Sequence, residues 1–113
     1  MSSPTHIEYR EEKGTAVVTP FGEIGYPEAA PFRAQLKQAQ DKRTPRLVVD
    51  LSNVAFMNTP GLATLVEALQ TSRRTNTALV LCGLQDRVRA VFEIARLHTV
   101  FKIVGDLPTA MTP

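Results

Sequence analysis

Tryptophan is absent from the 113 residues, and the chain has a single cysteine, Cys82. One cysteine excludes an internal disulfide, which favours a reducing compartment. The two histidines show no ligand spacing with other residues, which argues against a metal site. No apolar run approaches the roughly 20 residues of a membrane-spanning helix, and the first residues lack the features of a signal peptide. We therefore expect a cytoplasmic protein with no metal, no cofactor and no membrane insertion.

Neither sign of charge is in large excess. The 13 basic and 11 acidic residues give a net charge of +2, far from the basic stripe of a nucleic-acid binder. Hydrophobic residues make up 43% of the chain but aromatic residues only 6%, so the core must be mainly aliphatic. This length and composition predict a single domain over residues 1–113, with residues 1–5 as a loose N-terminal tail.

Alternating apolar and polar residues near the start of the chain predict a β-hairpin. Ile7 and Tyr9 alternate with polar neighbours, a polar turn ends at Gly14, and a second strand follows over 15–21. Beyond it, the breakers Gly22, Gly25 and Pro27 predict a loop.

The rest of the chain alternates between helical and strand patterns. We predict helices over 28–41, from 60 to about 74 and over 85–97, strands over 47–51, 78–82 and 100–104, and one helical turn within 106–113. This order predicts parallel strands joined by right-handed crossovers. The expected fold class is α/β, with a mixed sheet of about five strands and helices packed mainly on one face.

The segment Asn58-Thr59-Pro60-Gly61 lies where a buried strand leads into the second helix, at the edge where open α/β sheets collect function. Thr59 is predicted to be the N-cap of that helix, with Pro60 at its first position. Gly61 would allow close approach of a partner or phosphate, and the N–H groups of Gly61 and Leu62 would face a phosphate on Thr59. The segment is equally a good start for an ordinary helix.

Other candidate residues have structural interpretations that we favour. Cys82 ends an apolar strand and is predicted to be a buried packing thiol. Asp50 is predicted either to hydrogen-bond the loop that leads to Asn58 or to lie at the solvent-exposed end of its strand. Of Phe56 and Met57, one is expected in the core and one exposed. The arginine pairs 73–74 and 87–89 are predicted to be solvated, or to contact an acidic partner.

Three segments in this order resemble the STAS domain family, best known from bacterial anti-sigma factor antagonists. Gly22-Glu23-Ile24 follows the second strand, where the family often has Gly-Glu-Leu-Asp. The run from Leu47 to Leu62 is similar to a hydrophobic strand followed by Asp-Ser-Ser-Gly-Leu, with Asn58 and Pro60 in place of Asp and the second Ser. Leu81-Cys82-Gly83-Leu84 then leads into the third helix.

The resemblance implies partner switching. Such proteins bind an anti-sigma factor that is also a serine/threonine kinase, and so release the sigma factor. The kinase inactivates the antagonist by phosphorylation, and a phosphatase reverses this. The acceptor maps onto Thr59. The partner-binding residues expected from the resemblance are Gly22, Glu23, Tyr26, Phe56, Met57, Asn58, Thr59, Pro60 and Gly61.

Two other functions stay open on the sequence. A constitutive STAS adaptor, bound to a transporter ATPase or a stress-sensing complex, would use the same surface without obligatory phosphorylation. A small enzyme or nucleotide-binding domain is disfavoured, because no glycine-rich phosphate loop and no nucleophile–base pair are visible; we therefore expect no enzyme and no catalytic residues. The sequence also leaves a weak homodimer open.

Overall fold

A computed structural model describes residues 6–112, so the predicted tail over 1–5 lies outside the described part. Its elements, in chain order, are β1 (His6–Glu12), β2 (Thr15–Ile24), α1 (Tyr26–Asp41), β3 (Arg46–Asp50), β4 (Val54–Met57), α2 (Thr59–Arg74), β5 (Ala78–Cys82), α3 (Asp86–Ile94), β6 (Lys102–Val104) and α4 (Leu107–Met111).

The strands form one mixed sheet in the order β1-β2-β3-β5-β6, with β4 also paired to β2. β1 and β2 are an antiparallel hairpin, and every other pairing is parallel. The predicted α/β class, hairpin and parallel strands are confirmed. β4 was missed because it has only four residues and no apolar–polar alternation, and its register with β2 shifts at Gly22/Glu23.

The loop predicted after residue 21 is instead the end of β2. Gly22 adopts a φ of +90°, which glycine tolerates, and its N–H donates to the Asn53 carbonyl at 2.9 Å. The strand therefore continues to Ile24 beside β4. Helix α1 then begins at Tyr26, two residues earlier than predicted, since Pro27 lies in its first turn, where a missing N–H costs nothing.

Apolar side chains cover both faces of the sheet. The larger cluster lies under α1, α2 and α3, and includes Phe32, Leu65 and Phe92. The smaller one contains Val48 and Cys82 and is covered by α4. Three helices on one face and one short helix on the other match the predicted layering. Within residues 6–112, no helix has the length and apolar character needed to cross a bilayer.

Candidate functional site

The ends of two strands and the starts of two helices meet at one edge of the sheet. Ile24 ends β2 beside Met57 at the end of β4, and the Asn58 N–H donates to the Ile24 carbonyl at 2.9 Å. Tyr26 then begins α1 and Thr59 begins α2. We call the exposed and half-buried residues here the Thr59 surface, comprising Gly22, Glu23, Tyr26, Phe56, Asn58, Thr59 and Pro60.

Not every predicted partner-binding residue reaches solvent. Tyr26 is 81% exposed, whereas Met57 is fully buried. Phe56 is half-buried and not fully exposed, so only Met57 matches the expectation of one core and one exposed residue. Gly61 is also buried. Met57 and Gly61 therefore support the surface from beneath and do not form part of it.

The N-cap of α2 is Asn58 and not Thr59, which corrects the sequence prediction by one residue. Asn58 has an extended backbone, and its carbonyl accepts the N–H groups of Gly61 at 2.9 Å and Leu62 at 3.2 Å. Thr59 and Pro60 consequently occupy the first two helical positions. The Thr59 side chain is exposed, and its hydroxyl makes no hydrogen bond to any residue in 6–112.

The N–H groups predicted to face a phosphate on Thr59 already have an acceptor in the unmodified chain. The Gly61 and Leu62 N–H groups already donate to Asn58, and Pro60 has no N–H to offer. A phosphate on Thr59 would thus lack the ring of free donors that a helix start usually provides. Its main effect would be to place negative charge on the surface.

Gly61 faces the interior. A Cβ atom built on it would lie 2.5 Å from Met57 Cγ and 3.0 Å from Ile24 Cγ2, distances well inside van der Waals contact. The glycine therefore lets the first turn of α2 pack closely on β2 and β4. This replaces the predicted role of admitting a partner or a phosphate.

The two helix starts touch each other at Gly25. Its N–H donates to the Glu28 carboxylate at 2.8 Å, which fixes the first turn of α1. A Cβ on Gly25 would lie 3.4 Å from Asn58 Nδ2, so the Asn58 side chain packs against this glycine. Tyr26 follows Gly25 directly and is the first residue of α1.

Arg87 is a neighbour of the surface that the sequence did not identify. Its guanidinium lies 5.0 Å from the centroid of the Phe56 ring, in a cation–π contact. The sequence interpretation was a solvated helix face, because 31 positions separate the two residues and no local pattern links them. The arginine adds a positive charge beside the half-buried ring.

The loop after β3 is anchored from two sides. Asp50, which is 9% exposed, accepts the Ser52 N–H at 3.0 Å. Gln85 at the start of α3 donates to the Ser52 carbonyl at 2.9 Å. Asp50 thus bonds the beginning of the loop and not its end at Asn58. Its role is structural, as we favoured.

Cys82 lies at the end of β5 with no exposed surface. Burial raises the pKa of its thiol to about 12, and the carboxylates of Asp50 and Asp106 add to the shift. The thiol is therefore protonated at neutral pH, the state of a packing cysteine and not of an activated nucleophile.

The chain is similar to known proteins both in sequence and in fold. A family model described as STAS domain matches residues 6–110. The anti-sigma-B factor antagonist of Listeria monocytogenes is 35% identical over 82 residues, 73% of this chain and 72% of that protein. An anti-sigma factor antagonist from Mycobacterium paratuberculosis has a TM-score of 0.88 at 22% identity, covering 98% of this chain and 96% of its own. Bacillus SpoIIAA in its phosphorylated form has a TM-score of 0.69 at 16% identity, covering 89% and 93%.

The architecture is that of a single α/β domain with a mixed sheet and four helices, the class that these solved structures share. The STAS model spans all but a few of the described residues. The chain belongs to the STAS domain family.

Proposed function

We propose that this chain is an anti-sigma factor antagonist that binds an anti-sigma factor through the Thr59 surface, and that phosphorylation of Thr59 ends that binding. The observation that carries the proposal is the exposed Thr59 side chain at the first position of α2, on the same surface as the exposed Tyr26. The named function of the Listeria relative supports the partner class. The existence of a phosphorylated form of SpoIIAA supports phosphorylation as the event that regulates this binding.

The transfer would use ATP held by the partner. The Thr59 Oγ1 attacks the γ-phosphorus and its proton passes to a base of the partner kinase, while the bond from that phosphorus to the bridging oxygen breaks and ADP leaves. A phosphatase would hydrolyse the phosphothreonine, which returns the hydroxyl and releases phosphate. Neither step asks the STAS domain for a catalytic residue.

The phosphate would act at the interface and not through the fold. It adds a charge of about −1.5 to −2, next to N–H groups that already donate to Asn58. A bound partner would have to desolvate this charge with few compensating donors from α2, because Pro60 has no N–H and those of Gly61 and Leu62 already have an acceptor. Burying an unpaired charge at an interface costs about 2–5 kcal/mol, so binding should weaken at least ~30-fold.

The backbone at the start of α2 favours a second candidate, a constitutive STAS adaptor in a transporter-ATPase or stress-sensing complex. Pro60 removes one N–H and Asn58 occupies two others, so the helix start offers little stabilisation to a phosphothreonine. In this candidate the Thr59 surface binds its partner constitutively, without obligatory phosphorylation of Thr59.

Three forms of the chain separate these candidates: wild type, Thr59→Val as the neutral isostere and Thr59→Glu as the charged mimic. The cognate anti-sigma factor and ATP should phosphorylate wild type at Thr59, detected by mass spectrometry, and leave Thr59→Val unmodified. Calorimetric titration should give similar affinities for wild type and Thr59→Val, and a loss of at least ~30-fold for Thr59→Glu. Acid at a helix start is favourable, so the Thr59→Glu fold should stay intact.

Two results would remove the phosphorylation switch. One is the absence of phosphate on Thr59 after exposure to an active kinase that binds the chain. The other is undiminished binding of Thr59→Glu. Stable binding to a membrane ATPase or a stress-sensing complex, with no anti-sigma factor bound, would establish the adaptor instead.

A further inference from the structure

The outer edge of β1 has no neighbouring strand among residues 6–112. β1 is the first strand in the sheet order, with seven residues, six of them exposed. The backbone groups that face away from β2 are therefore open to another strand. Such an edge is a template for strand addition unless its side chains forbid it.

The side chains of β1 alternate in chemistry between the two faces of the sheet. Ile7 and Tyr9 pair with β2 residues on the face covered by α1, and Ile7 packs against the larger core. On the opposite face lie only ionisable groups, in the order His6, Glu8, Arg10 and Glu12. This face decides which strand can pair with the edge, because directly opposed like charges are destabilising.

The charges on this face are self-complementary about Tyr9. When a second β1 is placed antiparallel with the two Tyr9 residues opposite each other, Glu8 faces Arg10 of the second copy, and Arg10 faces its Glu8. His6 likewise faces Glu12 of the second copy. All seven residues of the strand are then paired, and no like charges are opposed on this face.

The neighbouring registers that keep the same faces aligned are excluded by charge. Centring the pair on Glu8 opposes two glutamates and sets His6 against Arg10. Centring it on Arg10 opposes two arginines and sets Glu8 against Glu12. Only the register about Tyr9 combines full overlap with attraction between Glu8 and Arg10 and with no opposed like charges on this face.

We propose that a second copy of this chain adds to the β1 edge in this antiparallel register, which gives a two-fold symmetric dimer with a continuous sheet. The intrachain pairs His6–Glu8 at 3.2 Å and Arg10–Glu12 at 3.3 Å are exchanged for pairs between the copies. These groups are exposed, so the exchange selects the register and adds little affinity.

The dimer is weak. A seven-residue strand pair buries far less than the ~1,600 Å² of a standard stable interface, so dissociation constants of about 0.1–1 mM are expected. The proposal does not depend on the function of the Thr59 surface, since β1 contributes no residue to it.

The test is sedimentation equilibrium at low salt, with protein up to about 1 mM. Wild type should dimerise. Glu8→Arg alone and Arg10→Glu alone should each be monomeric, since each opposes like charges about Tyr9. An equimolar mixture of the two variants should form heterodimers, because each arginine then faces a glutamate. The double variant Glu8→Arg/Arg10→Glu should dimerise like wild type.

Cysteine crosslinking tests the register. Tyr9→Cys places two thiols opposite each other across the dyad, with Cα atoms about 4.5–5.5 Å apart, which suits a disulfide. Glu11→Cys is the matched control, because its two copies lie about 14 Å apart along the strands. The buried Cys82 does not compete. A monomeric wild type at about 1 mM, no heterodimer in the mixture, or equal crosslinking of both variants would overturn the proposal.

Discussion

Replacing Gly61 by alanine should destabilise the domain, although glycine is normally the poorer residue within a helix. The added Cβ would lie 2.5 Å from Met57 Cγ, 3.1 Å from Met57 Sδ and 3.0 Å from Ile24 Cγ2. Met57 and Ile24 are both fully buried. Because the core encloses both side chains, they must shift within it or the first turn of α2 must move away from β2 and β4.

Two opposing effects set the magnitude. Overpacking a closed core costs about 1–3 kcal/mol. The gain in helix propensity from glycine to alanine is at most about 1 kcal/mol. A contact of 2.5 Å places the overpacking cost in the upper part of its range, so the balance is a loss of about 1–2 kcal/mol in the free energy of unfolding. This loss is equivalent to a fall of about 4–8 °C in the melting temperature of a domain of this size.

Urea denaturation followed by far-ultraviolet circular dichroism measures this loss. A double-mutant cycle with Met57→Ala identifies its cause, because that variant removes Cγ and Sδ. Gly61→Ala should then cost nothing, or even stabilise, in the Met57→Ala background. The explanation from packing fails if Gly61→Ala leaves the stability unchanged or raised in the wild-type background, or if its cost is the same in both.

Two further predictions concern the opposite side of the loop after β3. Gly83→Ala should lower the free energy of unfolding, measured by urea denaturation, by about 1–3 kcal/mol, because φ is +72° and an added Cβ would lie 2.8 Å from Ser52 Cβ. Gly105→Ala is the control and should cost little, because an added Cβ would have nothing within 4 Å. Equal losses of stability for the two variants would contradict this prediction. The pKa of Cys82 is raised from 9.0 to about 12, so the unfolded chain loses this proton first. The contribution of the protonated thiol to the free energy of unfolding is therefore fully present below about pH 9. Above that pH the contribution falls by about 1.4 kcal/mol for each pH unit. Urea midpoints from pH 8 to 11 should fall more steeply for wild type than for Cys82→Val, and parallel slopes would refute the shift.

Most of the fold follows from hydrophobic patterning. The continuous apolar run of β3 indicated a strand covered on both faces, and Leu47 and Val48 do belong to the two different clusters. β4 was not predicted because its four residues, Val54–Met57, are all apolar. They show no alternation of apolar and polar residues, although Ala55 is exposed and Phe56 half-buried. The extension of β2 past Gly22 depends on that same strand, so one omission caused the other.

The sequence predicted where the candidate site lies but not how its residues are arranged. Asn58 and Thr59 are both good N-cap residues, and a shift of one residue decides which N–H groups remain free. The inward direction of Gly61 depends on Met57 and Ile24 lying against it, which is a tertiary fact. Arg87 reaches Phe56 from another helix, and no local pattern encodes such a contact.

The Thr59 surface is held in place by main-chain atoms. The Asn58 N–H donates to the Ile24 carbonyl and the Gly22 N–H to the Asn53 carbonyl, so the scaffold does not rely on the side chains of Tyr26 or Thr59. Substitutions at such exposed positions are nearly free of folding cost. The residues of this surface can therefore vary while the architecture stays the same, in keeping with a TM-score of 0.88 at 22% identity.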